Sequence, residues 1–320
     1  MDNRRLGTTQ IEISPIGLGC LQFAGRGLAA QFYSSPEAIT EIVRTALDSG
    51  INWFDTAEMY GRGGSERALT TALHELGRSP GEVVIATKWS PAMRIASSIH
   101  RTIEDRVAAL QGYPIDLHQI HLPHGGFSSI ERQVRAMAEL SRAGRIASVG
   151  VSNFSARQME RASEVLRSYG LALASNQVQI SLLKRDVERN GVLATARRLG
   201  VTLIAYSPLR SGVLTGKFHD DPALVKAMPR IRRLLSGLSE RALVRTAPLI
   251  DELRAIAEAH GASIGQVALS WLISFYGNTV VAIPGATKPH QAKESAAAMN
   301  LRLTDQQLTR LDELSRSGDE

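Results

Sequence analysis

The chain has 320 residues, 43% of them hydrophobic and 21% charged, with 37 Lys and Arg against 31 Asp and Glu for a net charge of +6. This composition excludes a disordered or collagen-like chain, and the length allows a large core without disulfides or metal clips. The single cysteine, Cys20, excludes an internal disulfide and a cysteine-based zinc site.

The opening MDNRRLGTTQ lacks the apolar stretch of a signal peptide, and no run of about 18 apolar residues follows. A cytoplasmic protein with no membrane partner is expected. From there short β-branched runs alternate with longer segments of helical period. Arg5–Ser14 reads as a hairpin around a Gly-Thr turn. The strand candidates are Ile16–Gly19, Asn52–Asp55, Val83–Lys88, Leu117–His121, Ala147–Ser152, Ala174–Gln177, Thr202–Tyr206 and Val280–Ile283. Helical segments fall at 36–49, 65–77, 98–111, 129–143, 155–169, 187–199, 263–275 and 289–298, with two more at 245–260 and 304–315. Eight strands, each followed by a helix, specify an α/β chain folded as one (β/α)8 TIM barrel domain over residues 1–320. The hairpin caps its N-terminal end and the two remaining helices are extra. The connection 207–243 is longer than compact domains usually tolerate without a function.

The basic residues are interspersed with acids. Their densest stretch, from Lys226 to Arg245 with Arg230, Arg232, Arg233 and Arg241, lies in or beside that long connection. It reads as a solvated loop before a site for a phosphorylated ligand, and no nucleic-acid partner is expected.

In a barrel the residues at the C-terminal ends of the strands project into the active mouth. Strand two ends in Asp55 and runs into DTAEMYG, which places Tyr60 five residues on; strand three ends in Lys88, strand four in His121. A phenol is a poor acid at neutral pH, and a neighbouring ammonium lowers its pKa. A buried Asp keeps that ammonium charged, and a histidine on the next strand can hydrogen-bond a carbonyl oxygen. His118, His121 and His124 are spaced by three, which on a strand points neighbours to opposite faces, and Pro123 forbids a helix there, so no metal site is expected. Two glycine clusters, at 17–22 and 61–66, lack the last glycine and the context of a dinucleotide fingerprint, and 212–218 is one residue short of a phosphate-binding P-loop.

NWFDTAEMYGRGGSE, IATKW, QIHLP, SVGVSNF, SNQVQISLL, AYSPLRSG and IPGATKP, taken in that order, resemble the aldo-keto reductase family over almost the whole chain. The resemblance implies NADPH-dependent, reversible reduction of an aldehyde or ketone to the alcohol. In that comparison Tyr60 is the general acid, Lys88 and Asp55 lower its pKa, and His121 orients the carbonyl. Ser152, Asn153 and Gln177 would hold the nicotinamide carboxamide and Tyr206 would stack on the ring. Ser207, Leu209 and Gly212 would line the pyrophosphate, Thr287 and Lys288 would meet the 2′-phosphate, and Gln291, Glu294 and Ser295 the adenosine. Gly285 stands in the same cofactor segment where many members carry a phosphate-binding lysine, Leu122 where tryptophan is frequent, and Ser295 where asparagine is common. Independently, Pro289 suits a first helical position and makes Lys288 the N-cap, a ready anion site. The same architecture also serves nicotinamide-binding regulatory subunits of the potassium-channel β type, the alternative reading.

Overall fold

A computed structural model gives the fold and describes residues 2–25, 34–228, 233 and 238–316. Arg230 and Arg232 of the basic stretch lie outside these residues. A two-residue hairpin pair, β1 (Arg4–Arg5) and β2 (Glu12–Ile13), opens the chain. Eight strands follow: β3 (Leu18–Gly19), β4 (Trp53–Asp55), β5 (Val84–Trp89), β6 (Leu117–Ile120), β7 (Ser148–Ser152), β8 (Leu173–Gln179), β9 (Thr202–Tyr206) and β10 (Val280–Ile283). All pair in parallel with their sequence neighbours. The two edges meet where Gly17 N donates to Ala282 O (2.8 Å), Ala282 N to Pro15 O (3.0 Å) and Gly19 N to Pro284 O (3.0 Å), which closes the sheet into a barrel.

The helices are α1 (Pro36–Asp48), α2 (Gly64–Glu75), α3 (Ser97–Ala109), α4 (Ile130–Arg142), α5 (Ala156–Arg167), α6 (Val192–Leu199), α7 (Lys217–Asp220), α8 (Ala223–Ala227), α9 (Glu240–His260), α10 (Ile264–Phe275), α11 (Pro289–Ala297) and α12 (Asp305–Arg316). Side-chain caps start several of them: Ser35, Ser129, Ser155, Ser239 and Ser263 each accept a first-turn backbone N–H. Among the described residues no helix is long and apolar enough to cross a membrane.

Two expectations shift. The helix read over 187–199 begins at Val192, because Asp186–Glu188 forms a separate 3-10 turn and Gly191 takes a left-handed φ of 81°. The long connection is not open loop: it holds a 3-10 segment (Arg210–Thr215), α7 and α8, and α9 starts at Glu240 on its Ser239 cap. Val213, Phe218, Val225, Met228, Leu238 and Leu243 give it a small core of its own.

The barrel interior at its N-terminal end is packed by Trp53, Ala86, Leu117, Ala174, Ile204 and Val281, with Leu6 and Ile13 of the hairpin added from below. Gly7 N donates to Thr202 Oγ1 (2.7 Å) and Trp53 Nε1 to Ser14 O (2.9 Å), so the hairpin seals this end. Gly17 must stay small, since a Cβ there would collide with the Trp53 ring. A filled floor leaves the opposite end of the barrel for polar chemistry.

Candidate active site

Strand alternation decides which side chains meet. Ala86 faces the interior, so Lys88 does too; Leu117 faces in, hence also Gln119 and His121, while Thr87 and His118 point outward to the helices. Asp55 ends β4 with 2% exposure and Lys88 is fully buried. The Lys88 ammonium donates to Asp55 Oδ1 and, at 2.9 Å, to Thr56 O. Asp55 Oδ2 accepts from Gln119 Nε2 (3.1 Å) and Gln177 Nε2 (2.8 Å). Both carboxylate oxygens are therefore engaged, which a buried ion pair requires if it is not to cost stability.

Lys88 Nζ lies 5.2 Å from the centroid of the Tyr60 ring. The ring stands edge-on to His121, centroids 5.8 Å apart at 80°. Burial pushes the Tyr60 phenol above its ordinary pKa; Lys88 pulls it down and Asp55 pushes it up, and burial prevails. The lowered pKa expected from the lysine is thus outweighed, and the phenol keeps its proton at neutral pH. Burial also pulls the Lys88 ammonium down, but Asp55 and Tyr60 raise it further, so the net direction is up and it stays charged. Burial, aided by Lys88, pushes His121 down to about 3, leaving a neutral imidazole whose Nδ1 has no partner. The cluster therefore holds a protonated phenol, a fixed cation behind it and a neutral ring with one N–H beside it.

On the neighbouring strand ends Ser152 Oγ donates to Gln177 O (2.9 Å), Asn153 Nδ2 to Ser152 Oγ (3.0 Å) and the Tyr206 hydroxyl to Asn153 Oδ1 (3.1 Å). Asn153 has a left-handed φ of 61°, which turns its amide to the mouth. Ser152, Asn153, Gln177 and Tyr206 are thereby one connected group, although the Gln177 amide nitrogen is bound to Asp55.

Tyr206 lies opposite Ile283 across the β9–β10 pair, so the loops leaving those strands share one quadrant. After Tyr206 the backbone takes positive φ at Ser207 (49°), Arg210 (47°), Ser211 (55°) and Gly212 (93°), a tight course in which Arg210 N donates to Ser207 O (2.9 Å) and Gly212 N to Leu209 O (3.0 Å). A Cβ at Gly212 would sit 2.9 Å from Lys217 Nζ, which sets that ammonium against the turn. Leu209 packs on the core beneath it. Across the quadrant Lys288 is the N-cap of α11 with Pro289 first in the helix. Gln291 Oε1 accepts from Thr287 N (2.8 Å) and Thr287 Oγ1 (3.2 Å), Glu294 is exposed and Ser295 is buried. Gly285 leaves room for the Gln22 amide, whose buried Oε1 has no partner. Lys217 beside this turn and Lys288 at a helix start fit a dinucleotide phosphate chain.

Sequence reasoning missed Gln119, Lys217, Gln22 and Glu58. Gln119 was detectable as the inward-facing residue between Leu117 and His121. Glu58 lies within DTAEMYG and is held by Ser90 N (2.6 Å), Arg94 (2.6 Å) and Arg106 (2.8 Å); only the fold brings those partners to it. A cavity of about 1250 Å³ opens beside Tyr60 and His121.

The sequence matches the aldo/keto reductase family over residues 15–316. It is 36% identical over 306 residues to an uncharacterized oxidoreductase of Mycobacterium tuberculosis, covering 96% of this chain and 90% of that one. It is 31% identical over 333 residues to a provisionally named voltage-gated potassium channel subunit beta of Schizosaccharomyces pombe, covering 97% and 92%. Among solved structures, a thermostable aldo-keto reductase superposes with a TM-score of 0.77 at 31% identity, covering 98% of this chain and 100% of that one.

Proposed function

The chain belongs to the aldo/keto reductase family, a family of oxidoreductases, and on that premise we propose that it reduces an aldehyde or ketone to the alcohol with NADPH, reversibly, with Tyr60 as the proton donor. The observation that carries this reading is the buried Lys88–Asp55 pair beneath a phenol that faces His121.

NADPH, when bound, supplies a hydride to the carbonyl carbon. Tyr60 gives its proton to the carbonyl oxygen as the C=O electron pair moves onto that oxygen. Lys88, held charged by Asp55, stabilises the phenolate that remains. His121, neutral, donates one hydrogen bond to the same oxygen and fixes its approach. Ser152, Asn153, Gln177 and Tyr206 would hold the nicotinamide end, and Ser207, Leu209, Gly212 and Lys217 the pyrophosphate. Gly285, Thr287, Lys288, Gln291, Glu294 and Ser295 would take the adenosine end. The Lys288 cap of α11 favours the extra phosphate of NADPH over NADH.

NADPH consumption with a reactive aromatic aldehyde tests the reading. Turnover is expected to fall by about 10²-fold or more in Tyr60→Phe, the usual worth of a positioned acid, while NADPH binding persists. A second reading, a nicotinamide-binding regulatory subunit, draws on the channel-subunit relative. It would be favoured if NADPH bound and no aldehyde or ketone turned over.

A further inference from the structure

The cavity beside Tyr60 and His121 has two kinds of wall. Leu21, Phe23, Met59 and Leu122 make one side apolar. The other side is the turn before α2 together with its first residues, reaching the cavity through Gly61, Arg62, Gly64 and Arg67. Arg62 follows Tyr60 by two residues and is exposed, and among the described residues its guanidinium has no hydrogen bond or ion pair. Arg67 Nη2 donates to Arg62 O (3.2 Å), so both cations belong to one turn.

The neighbouring arginines differ. Glu58 takes both Arg94 (2.6 Å) and Arg106 (2.8 Å), and Glu66 lies 3.3 Å from Arg106. Glu66 also attracts Arg67 but is itself fully buried and hydrogen-bonded to Thr87. Asp105 lies on an adjoining hollow of about 780 Å³ that Arg62 and Arg67 also line, and not on this cavity. Glu75, the one carboxylate among the described residues of the cavity wall, ends α2 about 12 Å along the axis from Arg67 and accepts from Thr40 Oγ1 (2.7 Å). Glu58 and Glu66 are thus committed to Arg94 and Arg106, as Asp55 is to Lys88, which leaves Arg62 and Arg67 on the rim shared by the cavity and the hollow, facing whatever enters. A guanidinium selects carboxylate or phosphate oxygens by paired, charge-assisted hydrogen bonds.

We infer that the carbonyl substrate is anionic: an aldehyde or ketone with an apolar body and a carboxylate or phosphate, the anionic group held by Arg62 and Arg67 while the carbonyl meets Tyr60 and His121. This rests on the reductase reading.

The test compares kcat/KM for 4-formylbenzoate, 4-formylphenyl phosphate and the neutral methyl 4-formylbenzoate in the native protein, Arg62→Gln and Arg67→Gln. In the native protein at least one anion is expected to exceed the ester by about tenfold or more, the usual worth of a charge-assisted hydrogen bond. Which anion leads separates carboxylate from phosphate. The anion-to-ester ratio should fall toward one in Arg62→Gln, by way of a higher KM, and shrink with added salt. A native ratio near one, or a ratio unchanged in both variants, overturns the inference and leaves the reductase reading standing. Failure of all three aldehydes to turn over while NADPH binds removes both.

Discussion

The phenol, the ammonium and the carboxylate at the barrel mouth are readable one residue at a time, because each ends a strand and strand ends converge. Their protonation is not, since it depends on how much water the fold removes. His118 shows the same physics away from the mouth. Burial, with Arg106 nearby, pushes it down to about 3, and neither ring nitrogen has a partner. In the unfolded chain an imidazole titrates near 6.5. Between those values the unfolded chain binds a proton that the folded chain refuses, so stability falls as pH drops from about 6.5 toward 3. His121 acts in the same direction. His118→Leu is expected to remove one share of that acid sensitivity. It should also raise stability near neutral pH by about 1 kcal/mol, because two unsatisfied buried nitrogens are gone. Urea unfolding at neutral and mildly acid pH measures both effects; an equal loss at the two values would contradict the account.

Among the elements, the turn after β4 matters most because it carries Tyr60. Glu58 fastens it to the start of the β5–α3 connection through Ser90 N and Arg94, and to α3 through Arg106. Gly63 N adds a bond to Glu58 O (2.9 Å). Removing one partner of a buried ion pair strands the other, so Glu58→Ala should cost about 3 kcal/mol by leaving Arg106 with Glu66 alone. A lower denaturant midpoint with an unchanged slope is the expected result. Element positions themselves were legible where period and caps agree: strand cores came out within a residue or two, and the Lys288–Pro289 start of α11 as expected. The connection after β9 was not, because its short helices are held by apolar residues that meet only once the chain turns back on itself.

Across the whole molecule, Arg185 ties α12 to the barrel together with the Trp271 Nε1 bond to Leu308 O (3.2 Å) and the Arg316–Glu188 ion pair. Arg185 is 3% exposed, bonds Glu188 Oε1 (2.7 Å), Asp312 Oδ1 (2.5 Å) and Ser315 Oγ (2.5 Å), and lies 5.0 Å over the Trp271 ring. It joins the β8–α6 connection, α10 and α12 across long stretches of sequence. Arg185→Leu should lower stability by about 3 kcal/mol, because Glu188 and Asp312 lose their buried partner. Hydrogen exchange should quicken first in α12; uniform loosening of the whole barrel would argue against a local tie.

The sequence by itself determined the barrel, its hairpin plug, the strand-end residues Asp55, Lys88 and His121 with Tyr60 close behind, and the helix start at Lys288. Those follow from local periodicity and from the rule that parallel strands end on one face. Only the tertiary structure decided that Gln119 and Gln177 share Asp55, that Glu58 takes two arginines from elsewhere in the chain, that burial outweighs Lys88 at the phenol, and that Arg62 is left facing the cavity. Each of these depends on which distant groups occupy the same small volume and on how little water remains there, and neither quantity is carried by any local stretch of sequence.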